Sequence, residues 1–251
     1  MKIDLNADMG ESFGMYRLGS DEQFMAHITS ANVACGFHAG DPSVMKKTVA
    51  LAKKHNVRVG AHPGLPDLQG FGRREMKLSP EEVYDIVVYQ AGALKAFCEA
   101  AGLTLHHVKP HGSLYGMAHR LEDVAQAICQ AVKDVGPNLY LYIMKRGVIA
   151  RAAETMGLRT VYELYSDLAY DGQGNLVITR THDAHDPSAV AVRVRGMVVD
   201  HKVKATDGTE IAIEGHSVCV HGDTPGALEI VTAVRAALVA AGCELAAPEW
   251  E

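Results

Sequence analysis

Short apolar runs alternate along the chain with longer amphipathic stretches, and this alternation predicts strands followed by helices. Glycine, proline or polar residues bound most of the apolar runs, as expected for strand ends. One predicted strand begins at Ser30. The others are Ile3–Asp8, Val57–Ala61, Leu105–Val108, Leu139–Met144, Thr160–Leu164 and Ser217–Val220.

Helix-start signals accompany several of the amphipathic stretches. Residues 20–23 and 79–82 have the serine and glutamine or glutamate spacing of a capping box. Asp41 followed by Pro42 predicts another helix start, because aspartate favours the cap position and proline the first turn. Further helices are predicted at about 121–134, at about 148–156, and from Pro225 to Gly242.

The regular alternation stops between residues 170 and 215, where we predict an irregular insertion. A short strand is predicted at Leu176–Thr179, and a helix at Pro187–Val199 because Asp186 can cap it. A hairpin is predicted at Val203–Ile213, since Asp207–Gly208 is a strong two-residue turn signal.

About seven strands, most followed by a helix, favour an α/β fold in which parallel strands form an irregular, closed or nearly closed barrel. We predict one domain that spans residues 1–251 and carries a small hairpin insertion near its C-terminal third. A doubly wound open sheet is the competing topology.

Composition narrows the function to small-molecule chemistry. The chain has 251 residues, 48% of them hydrophobic, and a net charge of −6 that gives no reason to expect nucleic acid. No stretch approaches the ~20 apolar residues of a membrane helix, and no secretory signal is recognisable, so a cytoplasmic location is expected. The five cysteines are far apart, which predicts reduced thiols rather than disulfides or a zinc cluster.

Histidines and aspartates recur at the ends of the predicted strands. In a barrel the carboxyl ends of all strands open onto one mouth, so these side chains are expected to share a site. Four of them are histidines, which separate structural uses would not explain. The set is Asp8, His38, His62, His111, Asp167, His221 and Asp223.

Cationic side chains near these strand ends each have two interpretations. Lys109 is placed to stabilise an oxyanion, although a surface salt bridge is the alternative. Arg73 and Arg74 can clamp an anion or be solvated. The histidines and aspartates are ordinary ligands for a divalent metal, but none has the spacing of a known site, so we assign no metal ligand. No nucleotide-binding glycine motif is present.

Five long motifs resemble the LamB/YcsF family and span nearly the whole chain. The resemblance implies an irregular β/α barrel related to carbohydrate deacetylases. The motifs are DLNADMGESFG (4–14), SANVACGFHAGD (30–41), GAHPGLPDLQGFGRR (60–74), VKPHGSLY (108–115) and CVHGD (219–223).

The resemblance also implies a function. Members of this family take part in an ATP-dependent 5-oxoprolinase, which opens 5-oxoproline to L-glutamate together with B and C subunits (PxpB and PxpC). ATP would then be consumed by the complex. Two segments depart from the family pattern: Leu168 stands where an arginine is expected, and Lys145–Gly147 replaces a small, serine-containing loop.

On this basis we predict a lactam-opening site. Asp8 or Asp41 is the general base, His62 and His111 exchange protons with the ring nitrogen, and Lys109 stabilises the oxyanion. The alternatives are a metal-dependent amide or carbohydrate deacetylase and a non-catalytic subunit that presents substrate. Residues predicted to hold the substrate or these groups are Asn6, Glu11, Asn32, His38, Arg73, Arg74, His221 and Asp223.

Overall fold

A computed structural model describes residues 1–177 and 184–249, and parallel strands form its centre. In chain order the strands are β1 (Lys2–Met9), β2 (Ser30–Ala34), β3 (Arg58–His62), β4 (Leu105–Val108), β5 (Tyr140–Ile143), β6 (Arg159–Tyr165), β7 (Ala169–Tyr170), β8 (Leu176–Val177), β9 (Lys202–Lys204), β10 (Glu210–Ala212), β11 (Ser217–Val220) and β12 (Glu244–Leu245). The helices are α1 (Asp21–Phe24), α2 (Pro42–His55), α3 (Pro80–Ala100), α4 (Gly112–Arg120), α5 (Glu122–Val135), α6 (Val148–Thr155), α7 (Pro187–Val199) and α8 (Ala227–Ala240).

Seven of the strands close into a barrel. β1 to β6 pair in chain order, β6 pairs with β11, and β11 pairs back with β1, all in parallel. This closure confirms the predicted barrel and excludes the open sheet. The short strand β12 adds beside the start of β1.

Most predicted elements are confirmed, and the exceptions have local causes. Ser20 makes no side-chain cap hydrogen bond and α1 lasts four residues, so the capping box predicted there is wrong. At Ser79 both capping-box bonds form. The last helix begins at Ala227 rather than Pro225, because Gly226 before it has a φ of 75°. The sequence patterns did not predict α4, β7 and β12.

The insertion has the predicted helix and hairpin. Asp186 caps α7 by accepting from the backbone N–H groups of Ser188 and Ala189. β9 and β10 form the antiparallel hairpin, and β7 pairs with β8. The predicted strand at Leu176–Thr179 is confirmed for its first two residues, and the other two lie outside the described residues.

The two faces of the barrel strands lie in different surroundings. Alternate residues such as Leu5 and Val33 are fully buried in the apolar core between the strands and the helices. The interior is polar instead: Asp4, Asn6 and Asp8 alternate along β1, and their side chains bond across to other strands. In the described part of the chain no helix is long and apolar enough to cross a membrane.

Candidate active site at the carboxyl end of the barrel

A buried ion pair between Lys109 and Asp8 forms the centre of the site. Lys109 follows β4 and donates from Nζ to Oδ1 of Asp8 at 2.9 Å and to Sγ of Cys219 at 3.1 Å. The same ammonium lies 3.3 Å from Oε1 of Glu163. Burial alone would favour neutral lysine, but these neighbours outweigh it and raise its pKa well above the ordinary value.

Asp8 is held as a carboxylate by the groups around it. Its Oδ2 lies 3.3 Å from Nε2 of His62, and its Oδ1 accepts from the side-chain amide of Asn32 at 2.8 Å. Burial disfavours the charged form, yet His62 and Lys109 together hold the pKa of Asp8 well below the ordinary value. Asp8 therefore stays available to accept a proton.

Two backbone carbonyls fix the protonation of His62 and His111. Nδ1 of His62 donates to the carbonyl of Lys109, and Nε2 of His111 donates to the carbonyl of Phe71, each at 2.7 Å. The other nitrogens face each other at 3.0 Å. Two lone pairs cannot meet at that distance, so the two nitrogens share one further proton, which lies beside the carboxylate of Asp8.

His38 packs against this pair, and its ring nitrogens have no hydrogen-bond partner among the described residues. Its ring stacks on His111 with centroids 3.7 Å apart and meets His62 edge-on at 5.4 Å. Gly64 and Gly72 leave room for the ring: a Cβ on Gly64 would lie 2.4 Å from its Nδ1. Burial, with the neighbouring histidines, lowers the pKa of His38 well below the ordinary value.

His221, after β11, closes the other side of the site. Its Nδ1 bonds Oδ1 of Asp167 at 2.9 Å, and Thr224 donates to the other oxygen of that carboxylate. Burial lowers the pKa of His221, but Asp167 outweighs burial and raises it well above the ordinary value. The pKa of Asp167 is lowered to about 2, since His221 more than offsets burial. This pair places Nε2 of His221 3.8 Å from Asp8.

Arg73 lines the pocket and pairs with Asp223, and the buried Glu11 lies within electrostatic range of both. Arg73 donates to Oδ2 of Asp223 at 2.8 Å. Burial raises the pKa of Glu11 well above the ordinary value, and repulsion from Asp8 and Asp223 adds to the rise. Glu11 is therefore suited to hold a proton where its neighbours are ionised.

Asn6 and Asn32 position the charged side chains of Glu163 and Asp8 through hydrogen bonds. Asn6 donates to Oε1 of Glu163 at 2.9 Å and accepts from Asn32 at 2.8 Å. Asn32 in turn accepts from Nε2 of His107 at 2.7 Å. The two asparagines thus connect Asp8 and Glu163 rather than face the pocket.

Asp41 and Arg74 have structural partners away from this centre. Oδ1 of Asp41 accepts from the backbone at the start of α2, and its Oδ2 accepts from the backbone N–H of Gly14. Arg74 forms a salt bridge to Asp67. The geometry therefore favours Asp8 over Asp41 as the base, and ties Arg74 to its own loop.

Three side chains that the sequence patterns did not single out are brought together by the barrel. Glu163 and Tyr165 lie on β6, where the hydroxyl of Tyr165 donates to Oε2 of Glu163 at 3.0 Å, and Cys219 contacts Lys109 from β11. The sequence signal that could have identified such residues is a polar side chain two positions before the residue at the end of a strand. Successive side chains alternate between the two faces of a strand, so such a residue points into the barrel as the last one does.

A small pocket of about 60 Å³ opens onto this centre. Leu168 lines it together with Leu176, so the departure from the family arginine makes this wall apolar. Lys145 and Arg146, the other departure, line a neighbouring cavity of about 640 Å³ that also reaches Glu163. The pocket-lining residues include Asp8, His62, Arg73, Lys109, His111, Tyr165 and His221.

Fold and site together define a class: a β/α barrel with a buried acid–base centre at the carboxyl ends of its strands, suited to hydrolysis of a small molecule. Within that class the chain belongs to the LamB/YcsF family, whose model matches residues 3–250.

Relatives and solved structures agree with this assignment. The chain is 48% identical over 248 residues to the 5-oxoprolinase A subunit of Bacillus subtilis (strain 168), covering 98% of this chain and 96% of the relative. It is 49% identical over 247 residues to the Pyrococcus furiosus protein of that name, covering 98% and 97%. The crystal structure of the lactam utilization protein from Thermus thermophilus has a TM-score of 0.93 and 49% identity, over 98% of this chain and 99% of that one.

Proposed function

We propose that this chain is the A subunit of an ATP-dependent 5-oxoprolinase and opens the lactam ring of 5-oxoproline to give L-glutamate. Relatives of nearly the same length, at 48–49% identity, are named as A subunits of 5-oxoprolinase. The single observation that carries the chemistry is the Asp8–Lys109 pair beside the contact between His62 and His111. That arrangement offers a base, a fixed cation and a proton donor in one pocket.

In this proposal other subunits of the complex use the ATP. A lactam is a poor electrophile, and phosphorylation of its ring oxygen would make the carbonyl carbon reactive. The sequence has no nucleotide-binding glycine motif, so we assign that phosphorylation to the B and C subunits (PxpB and PxpC). The chain described here then acts on the activated ring.

Water attacks the activated ring carbon with Asp8 as general base. Asp8 is ionised and lines the pocket, so it can take one proton from the water as the new C–O bond forms. Lys109 provides a fixed positive charge next to the oxygen that came from water, on which negative charge develops as it loses its second proton. Because Lys109 is already held by Asp8, Glu163 and Cys219, little reorganisation is needed.

His62 supplies the proton that the leaving nitrogen needs. Its Nε2 carries a proton that it shares with Nδ1 of His111. Attack moves the C=N electron pair of the activated ring to nitrogen, which takes that proton. The new hydroxyl group then passes its proton back to His62 as the carbonyl forms and the ring C–N bond breaks. The electron pair of that bond goes to nitrogen, which takes the proton held by Asp8, and a free amine and an acyl phosphate result. A second water releases phosphate and completes the conversion to glutamate. Proton transfer of this kind contributes about 10²–10⁴-fold to a rate.

Reconstitution with the B and C subunits, ATP and 5-oxoproline tests this function. We expect glutamate formation by the wild-type chain and none above background with Lys109→Met or His111→Ala. Lys46→Met, on the exposed face of α2, is the matched control and should turn over normally. Normal turnover in both site variants would contradict the assignment.

A further inference from the structure

Four potential metal ligands converge beside the Asp8–Lys109 pair. Glu11, His38, His62 and His111 each offer one ligand atom, and these atoms lie within 4.8 Å of one another. All four side chains are buried. Three imidazoles and one carboxylate match the donor set of zinc and similar ions, whereas magnesium and calcium prefer oxygen ligands.

Two of these histidines are held as metal ligands are usually held. A ligating histidine generally donates its second ring N–H to a carbonyl or carboxylate, which fixes the ring. His62 and His111 do this with the carbonyls of Lys109 and Phe71. Their inward nitrogens lie 3.0 Å apart, close to the roughly 3.3 Å that two nitrogens take when each is about 2.0–2.1 Å from one zinc ion.

His38 is the independent indication of a ligand. Its side chain is fully buried, and within the described residues neither ring nitrogen has a hydrogen-bond partner. Buried polar groups are normally paired, so an orphaned imidazole beside two inward nitrogens calls for an explanation. His38 and His111 are stacked and must tilt apart to face one ion. His38 has no hydrogen bond to lose in that movement.

We propose that His38, His62, His111 and Glu11 form a binding site for one divalent transition-metal ion such as Zn²⁺ or Co²⁺. The ion takes the place of the proton that Nε2 of His62 shares with His111 and of the proton on Glu11, and both protons are released to solvent. This inference goes beyond ring opening, which uses that same proton. Metal loading and proton delivery by His62 are therefore mutually exclusive states of the site.

Metal binding to the isolated chain tests the site without any turnover. Protein stripped with a chelator is titrated with Co²⁺, followed by visible absorption, and with Zn²⁺, followed by calorimetry and elemental analysis. We expect one ion per chain, a cobalt absorption band that Zn²⁺ abolishes, and no binding of Mg²⁺. Loss of an outer-shell partner already weakens metal affinity by about 10–100-fold, so His38→Ala should weaken it at least as much.

Controls make the result specific to these four residues. His55→Ala, at the last residue of α2, removes a histidine outside the site and should bind like wild type. If circular dichroism shows that His38→Ala is unfolded, His38→Gln replaces it because it keeps more of the side-chain volume. Absence of a stoichiometric ion in the wild-type chain, or wild-type affinity in the folded His38 variant, would overturn the proposal. Neither result depends on whether the chain opens 5-oxoproline.

Discussion

Two aspartates on the same strand show how neighbours decide the use of a buried carboxyl group. Asp4 and Asp8 are four residues apart on β1, both are buried, and both point into the barrel. Asp4 accepts hydrogen bonds only from hydroxyl groups among the described residues. These come from Thr29, Ser30, Tyr142 and Ser217.

The pKa values of the two groups move in opposite directions. Burial raises the pKa of Asp4, and its hydroxyl partners only partly oppose that rise. Burial acts on Asp8 in the same sense, but His62 and Lys109 outweigh it. A hydroxyl layer thus makes one end of the interior structural, whereas a nearby lysine and histidine make the other end reactive.

The largest expected effect is a difference in enzymatic activity between a variant of Asp8 and the same variant of Asp4. Asp8→Asn removes the general base, so glutamate formation by the reconstituted complex should fall by about 10²–10⁴-fold. Asp4→Asn keeps the reacting groups in place and should retain turnover. Initial rates of both variants measure the difference. Equal losses in the two would show that the polar interior acts as one structural unit.

Removal of the site's cation should cost stability as well as activity. Lys109→Met leaves Asp8 and Glu163 buried without their shared ammonium. Breaking a buried pair on one side typically costs about 3–5 kcal/mol, which urea unfolding would measure. Lys46→Met, on the surface, should change the free energy of unfolding by less than about 0.5 kcal/mol. A Lys109 variant as stable as wild type would mean that the pair is not strongly coupled.

The Asp167–His221 pair should make stability depend on pH at both ends of the range. The lowered pKa of Asp167, about 2, contributes stability above its unfolded value near 3.8, and that contribution is lost as the pH falls towards 2. The raised pKa of His221 contributes fully below its unfolded value near 6.5, and that contribution is lost as the pH rises through the folded value.

Asp167→Asn tests this dependence. The wild-type advantage in free energy of unfolding should be largest between about pH 5 and 6.5, and should shrink by about 1 kcal/mol between pH 6 and pH 3, on the way to a full loss below pH 2. Urea unfolding at pH 6 and pH 3 measures both values. An advantage of the same size at pH 3 would show that the Asp167 carboxylate is not stabilised by the fold.

The smallest effect concerns Asp4 alone. Because its folded pKa is raised, its contribution is greatest at acid pH and is lost as the pH rises through the folded value. Asp4→Asn should therefore lose less stability than wild type as the pH rises from about 4, near the unfolded value, to pH 8. Parallel pH curves for the two proteins would contradict the raised pKa.

Sequence patterns predicted the strands and the shared rim because both depend on local signals. Strand ends bearing His62, His111 and His221 do converge, since parallel strands in a closed barrel open onto one mouth. The roles within that rim depend on partners far apart in the chain. Glu163 is 54 residues from Lys109, and only closure of the barrel brings them to 3.3 Å.

Local signals also could not decide where two uses competed for one residue. Asp41 has the sequence context of both a site residue and a helix cap, and in the structure it accepts from the backbone of α2 and of Gly14. Ser20 has the capping-box spacing without the side-chain cap bond, and its backbone carbonyl accepts from the N–H groups of Gln23 and Phe24 instead. The interior hydroxyl layer around Asp4 was not predicted, since serine and threonine within strands carry no distinctive pattern.

The most direct test of the central claim uses the isolated chain and a chemically activated 5-oxoproline, such as its stable O-alkyl lactim ether. This substrate bypasses ATP and the other subunits, so ring opening reports only the chemistry of the Asp8–Lys109–His62 centre. We expect the wild-type chain to accelerate ring opening and Asp8→Asn to lose that acceleration, while Asp4→Asn retains it. No acceleration by the folded wild-type chain would instead make it a subunit that only presents substrate to its partners.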